Sequence, residues 1–362
     1  SSDLFITDLM WYGQLGFQSV VWTQLGVKIG LWVAYALLMA LTGFVSAWLA
    51  IRARPDSADG STIRINGDVV EVGKSVSSKT ARRVAVVISL IVGVIFGSQF
   101  NANWSEILLM FNAQSFGTTD PQFGLDNGFY VFVLPGLKLV LAAVAMLLGV
   151  GLVFSVVTHV LMGGIRITMP VNGRGLFSIT KRCRRQLGIW LMLNMFAWAV
   201  RQMIGVFDQL TVQGSRITGA SYTAVHANIP VTFIMAVLTA ILGVVLGIWL
   251  MRSHTLEGQA SIGVRASAAL KAWRVPVTSI AVVVVVGLVL TVAWPVLLQR
   301  FRVNPNAQEM ESTYIQRNID ATRAAYGLDK LKTEQYKVTD KGEQGALAKE
   351  ADTTAQIRLL ED

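Results

Sequence analysis

Apolar runs of about 20 residues alternate with polar connectors along most of the chain. This is the pattern of helices that cross a hydrocarbon core about 30 Å thick. Six runs are long enough: Ile29–Ile51, Val84–Phe100, Phe129–Met162, Leu187–Phe207, Val231–Met251 and Val277–Leu298. The third is too long for one simple span, so part of it is expected to tilt or to lie at the interface. Each run is read as a helix, because backbone polar groups in lipid must be satisfied within the segment. Residues 4–24 read as an interfacial element, since Asp8, Gln14, Gln18 and Gln24 interrupt its apolar positions. Trp104–Phe116 is apolar but carries Glu106, Asn112 and Gln114. It either re-enters the membrane or lies on it, and the polar residues favour lying on it. Between the first two spans, Ile63–Val70 alternates around Asn66-Gly67 and predicts a small hairpin with a type I′ turn. Ala307–Tyr326 predicts an amphipathic helix stopped by Gly327.

Composition sharpens this picture. Of 362 residues, 53% are hydrophobic and only 15% charged, with a mean hydropathy of +0.53. These values exclude disorder and argue against an ordinary soluble enzyme. The net charge of +9 does not point to nucleic acid, because it collects in alternate connectors. Residues 52–83, 163–186 and 252–276 are rich in Lys and Arg, whereas 1–27 and 101–128 contain none and 208–230 only Arg216. The positive-inside rule makes the basic connectors cytoplasmic and both ends of this chain extracytoplasmic, in the plasma membrane. An extracytoplasmic amino end without a cleavable signal is expected to follow a further span, seven in all. Residues 299–362 hold ten Lys/Arg and eleven Asp/Glu and read as the start of a large extracytoplasmic soluble domain. The expected organisation is a segment 1–28 at the outer interface, a membrane domain 29–298 and the opening of a soluble domain from 299. The fold class is all-α, a polytopic transmembrane helical bundle.

Chemical motifs are sparse. Gly73-Lys74-Ser75 resembles the end of a phosphate loop, but five residues separate Gly67 from Gly73 and no apolar strand leads in. Ser178-Ile179-Thr180-Lys181 matches SxxK without either companion motif and reads as a loop. Cys183 is the single cysteine, and His159, His226 and His254 sit on different connectors or depths. No catalytic, cofactor or metal site is therefore expected. The sharpest feature is Arg201 inside the fourth span, where an ionisable group is costly and faces a bundle interior or cavity. Asn194, Arg201 and Asp208 are seven apart, within about 20° of one helix face per step. This face is either a polar path or lipid-headgroup site, or an arginine packed into the bundle. Lys138 is an interfacial anchor if its helix starts at Pro135, and lies roughly 12 Å deep if it starts near Phe129. Lys138 and Arg201 together would suit an anionic phospholipid headgroup, with Asp120, Asp126 and Asp208 as competing partners. Gly26/Gly30, Gly93/Gly97 and Gly243/Gly247 have the spacing of close helix contacts.

Four stretches resemble a known family. They are 8–12 with 15–23; Phe116–Gly124 leading into Gly128–Pro135; Gly219–Ala227; and Arg302–Asn306 with Tyr314–Ile319 and Thr322–Leu328. The chain is similar along nearly its whole length to the uncharacterised multipass membrane proteins of actinobacteria and cyanobacteria, uncharacterised protein family 0182. Thr313, where a proline is expected beside Tyr314, and the hairpin at 60–72 depart from that pattern. The resemblance implies seven spans followed by a large extracytoplasmic domain, and no particular reaction. The leading functional expectation is a non-enzymatic membrane platform in a cell-envelope assembly. The alternative is a transporter or lipid-handling protein using Asn194, Arg201, Asp208 and Lys138. Expected partners are membrane lipids, anionic phospholipid among them, and a second copy or other membrane proteins.

Overall fold

The computed structural model describes residues 2–54, 61–65, 68–72, 77–167, 177–213, 218–253 and 262–331. Six helices in it are long and apolar enough to cross a membrane: Gln18–Arg52, Ser78–Ser98, Phe129–Leu161, Lys181–Leu210, Ala224–Arg252 and Trp273–Val303. The protein is an all-α, multi-pass membrane protein. Two short antiparallel hairpins ornament the connectors, β1 (Ser61–Ile65) with β2 (Asp68–Val72) and β3 (Ile165–Ile167) with β4 (Phe177–Ile179). The first forms where the alternation predicts it. Its Asn66-Gly67 turn and the Gly73-Lys74-Ser75 motif lie outside the described residues.

The first spanning helix differs from the expectation at its start. A short helix α1 (Ser2–Gln14) is followed by α2 (Gln18–Arg52), which begins well before Ile29. Glutamines interrupt hydrophobicity but not helicity, since Gln is a good helix former. The break falls instead at Gly16, whose φ of 76° is left-handed. At about 1.5 Å per residue α2 is roughly 50 Å long, so its ends project beyond a ~30 Å hydrocarbon core.

Helix α3 (Ser78–Phe100) returns beside α2, and a 3-10 turn carries it straight into α4 (Trp104–Phe111). The polar positions Asn112 and Gln114 follow the end of α4. Helix α5 (Leu134–Leu161) also packs on α2, while α6 (Lys181–Gly205) packs on α5 and on α7 (Ile229–Arg252). The sixth span takes in α8 (Ile262–Leu288) from Trp273 onward and α9 (Trp294–Leu298). Only 6% of its most apolar window is buried.

Glycines set the two tightest crossings. A Cβ on Gly93 would stand 2.5 Å from the Ala36 carbonyl oxygen, and one on Gly97 2.9 Å from the Trp32 carbonyl oxygen. Gly188 and Gly247 likewise face each other's carbonyls at 2.8 and 2.9 Å. Two of the three glycine pairs are thus consumed by α2–α3 and α6–α7 packing. Gly26 and Gly30 have open space in front of them.

Among the described residues, four five-residue π-helical turns occur: Phe129–Val133, Ala224–Asn228, Val289–Ala293 and Gln299–Val303. Each is followed, two residues on, by a proline: Pro135, Pro230, Pro295 and Pro305. A proline has no N–H, and its ring collides with the carbonyl four residues earlier. That carbonyl belongs to the middle residue of each π turn. Widening the turn carries the chain past the ring, and the residue before each proline donates five residues back, Leu134 N–H to the Phe129 carbonyl for example.

The chain divides after Ile315 into two compact units. In the first, 1–315, the core comprises the inward faces of α2, α5, α6 and α7, with Met39, Ala47, Ala50, Cys183 and Ala236 at 0–1% exposure. The described part of the second contains the later half of α10 (Ala307–Ala325). A Gln316–Asp320 side-chain hydrogen bond of 2.7 Å braces it, and Gly327 at φ 67° stops it as expected.

Candidate functional site

The polar residues singled out in the sequence separate into distinct environments. Helix α5 is entered through the π turn, so the helical run starts near Phe129 and not at Pro135. Lys138 then lies roughly 13 Å along it at about 1.5 Å per residue. Its ammonium donates to both Asp208 carboxylate oxygens, at 2.8 and 2.9 Å, and the two side chains are 45% and 37% exposed. Asn194 donates to the carbonyls of Leu148 at 3.0 Å and of Trp190 at 2.8 Å, which ties α6 to α5. Arg201 is exposed, and among the described residues it makes neither a hydrogen bond nor an ion pair. The structure therefore joins Lys138 to Asp208 and keeps Asn194 and Arg201 apart from them.

Asp120 and Asp126, the other possible partners of Lys138, are committed to their own loop. Asp126 accepts from the Ser115 hydroxyl at 2.5 Å and from the N–H groups of Phe116, Gly117 and Gly128. These bonds, the Ser115 hydroxyl foremost, hold its carboxyl down at about 2. Asp120, 8% exposed, accepts from the N–H groups of Gln122, Phe123 and Leu125 and from the Tyr130 hydroxyl. Burial pushes its carboxyl up, but the four donors together outweigh burial and leave it below the ordinary carboxylate value. Phe207 packs edge-on against Phe123, Phe129 and Tyr130, so this loop is fastened to the end of α6. The Asp-Pro and Asp-x-Gly spacings, typical of side-chain-closed turns, were the available signal for it.

A second cluster forms where the sixth span meets α10. Glu311, 7% exposed, accepts from the Tyr222 N–H at 3.1 Å, and the Ser221 hydroxyl accepts from the Ala224 N–H. A carboxylate and a hydroxyl thus cap the positive end of the fifth span. Tyr222 stacks on His226 with centroids 4.0 Å apart and meets Tyr314 edge-on. The Arg302 guanidinium lies 5.8 Å from the Tyr222 ring centre. Thr223 donates to Gln299, and Val303 is 1% exposed. No sequence motif announced this cluster, because it joins residues about 90 positions apart.

At the opposite end of the bundle, His159 and Arg184 are buried at 0 and 1%. His159 Nε2 lies 3.0 Å from Gln186 Oε1, and the Gln186 amide donates to the Ser46 carbonyl at 2.8 Å. Ser46 in turn donates to the Gly151 carbonyl. This polar seam links α2, α5 and α6. The Ser178–Lys181 segment is structural, with Thr180 capping α6 by accepting from the Cys183 N–H. Among the described residues no group of three His, Cys, Asp or Glu side chains is placed to hold a metal ion; His254 lies outside them.

Two of the stretches that carry the family resemblance meet in the Tyr222–Glu311 cluster, Tyr222 of Gly219–Ala227 against Arg302 and Tyr314 of the last stretch. Glu311 lies between Arg302–Asn306 and Tyr314–Ile319 of that last stretch, and a third stretch contributes Asp120 to the Asp120–Asp126 loop. Comparison with known proteins agrees. The chain is 99% identical over 357 residues to a UPF0182 protein of Bifidobacterium longum, covering 99% of this chain and 34% of that protein. It is 77% identical over 357 residues to one of Bifidobacterium adolescentis, covering 99% of the chain and 33% of that protein. It is 36% identical over 358 residues to one of Kocuria rhizophila, covering 98% and 33%. The chain thus spans about a third of the length of these curated relatives. No solved structure matches it. The model of an uncharacterised protein family, UPF0182, matches residues 3–362, and the chain belongs to that family.

Proposed function

We propose that the bundle is a non-enzymatic membrane platform, anchoring the soluble part of a longer protein on the side away from the basic connectors, within an envelope-associated assembly. The observation that carries this reading is the clamp on the first half of α10. Buried Glu311 caps the fifth span through Tyr222, and Val303 is buried where the sixth span ends. A polar helix leaving a membrane needs no such attachment unless its position matters. In support, Lys138, Asp208 and Asn194 are satisfied by one another or by backbone, as in a packed bundle.

The test uses the full-length protein in sealed right-side-out vesicles. Protease added outside is expected to cut beyond α10 and leave a membrane fragment that retains it. Glu311→Ala is expected to open the segment between α9 and α10 to cleavage without releasing the spans. A solute flux in proteoliposomes that depends on the bundle would replace the platform by the transport alternative.

A further inference from the structure

Helices α3 and α5 both pack on α2 but barely meet each other. Between them lies an open cavity of about 350 Å³, lined on one side by Ala81, Val84, Ala85 and Ile88 and on the other by residues of α5 from Val153 to Leu161 with Met162 just beyond its end. The space has a simple origin. Residues 81, 84, 85 and 88 fall on one helix face, and its two alanines are too short to reach α5. Ala85 and Met162 form a buried floor, whereas the walls Val84, Val153 and Val157 are about half exposed. The lining is apolar apart from Thr158. The cavity is in the size range of small-ligand sites, but it opens sideways along a membrane-spanning helix.

Its mouth is different in kind. Lys79, Arg82 and Arg83 occupy the first two turns of α3, and all three are exposed. Among the described residues none of them makes a hydrogen bond or an ion pair. Arg82 stands on the flank of the lining face, one residue from Ala81 and three from Ala85. The amino end of α3 adds the positive end of its helix dipole at the same level. An apolar slot beginning under a cluster of cations has the charge and polarity sequence of one kind of molecule. We propose that this groove is a binding site for an anionic phospholipid, with an acyl chain between α3 and α5 and its phosphate beside Arg82. It lies at the opposite end of the bundle from Lys138 and Asp208, and it does not depend on the platform reading.

The test uses the full-length protein in mild detergent, with phosphatidylglycerol, phosphatidylcholine or soluble glycerol phosphate added. Retained lipid and melting temperature are measured. Phosphatidylglycerol is expected to be retained through purification and to raise the melting temperature. Phosphatidylcholine should be held about fivefold more weakly, the worth of one basic side chain at an anionic surface. Arg82→Gln should remove that preference, and Arg82→Lys should keep it. Ala85→Phe, which fills the slot, should abolish retention of both lipids. If Ala85→Phe does not fold, Val157→Trp narrows the slot from its exposed wall and should lower retention of both. Equal retention of the two lipids overturns the proposal, as does undiminished retention in the filled variant. Stabilisation by glycerol phosphate alone would leave a headgroup site without a groove. A co-purifying protein that protects Val157→Cys from thiol labelling would make the groove a protein contact instead.

Discussion

Lys138 and Asp208 are partly exposed, and in water such a pair contributes only ~0–1 kcal/mol. Beside a bilayer the alternative for each charge is poorer, so loss of one partner should weigh more than the pair is worth. Lys138→Met and Asp208→Asn are each expected to lower the melting temperature of the membrane domain. The double variant should recover part of the loss, with a coupling of about 1 kcal/mol or more. Strict additivity would mean that the two side chains do not depend on each other. The Asp120–Asp126 loop answers to pH. A carboxylate whose folded value is depressed stabilises the fold fully above its unfolded value of about 3.9, and that stability is lost as pH falls toward the folded value. For Asp126, held at about 2, the window is roughly pH 4 to 2. Protease resistance of residues 112–128 should be flat from neutral pH to about 5 and then fall. In Asp126→Asn the flat part should already sit at a lower level, because an amide places a donor where four donors converge. Arg201 and Asp208 are legible in the sequence as ionisable groups in or beside a span. The pairing of Asp208 with Lys138 is not, since Asp120 and Asp126 compete until their loop is seen to use all their acceptors.

At the scale of elements, the six long apolar runs each coincide with a described helix long and apolar enough to cross a membrane, because in lipid hydrophobicity and helicity have the same cause. Helix ends are less legible. Gln18 and Gln24 lower local hydropathy yet extend α2, and Pro135, read as a possible start, sits inside a continuous run. The glycine pairs show a similar division. Spacing alone cannot tell Gly93/Gly97, which face the carbonyls of Trp32 and Ala36, from Gly26/Gly30, which face nothing within 4 Å. Gly93→Val is expected to destabilise the α2–α3 crossing by about 1–3 kcal/mol, since backbone must move to admit it. Gly30→Ala should be neutral or slightly stabilising by helix propensity. Thermal melts of the two variants side by side give the comparison. Equal effects would show that α2 and α3 do not approach as closely as described.

For the whole molecule, the expected orientation rests on the charge asymmetry of the connectors, which sequence alone carries. Cys183 is fully buried and the only cysteine in this chain, so introduced thiols can be read against a low background. Ser77→Cys, at the basic end, should resist an impermeant thiol reagent in intact cells and react after permeabilisation. Gln114→Cys, in an exposed stretch without Lys or Arg, should react in both. Labelling of Ser77→Cys in intact cells would invert the map.

The four π turns have one more consequence, which concerns phase. Each holds one residue more than an α-helical turn, and one residue is worth about 100° of rotation around a helix axis. Phe129 and Tyr130, the first two residues of one such turn, reach Phe207 and Asp120. Deleting Val131 would leave α5 where it is and swing both rings about 100° away from their partners. The turn at Gln299–Val303 sets the azimuth at which the chain leaves the sixth span in the same way. At this end of the bundle the number of residues before each proline acts as an angular coordinate. A change of one in that number is a larger perturbation than most substitutions of the residues themselves.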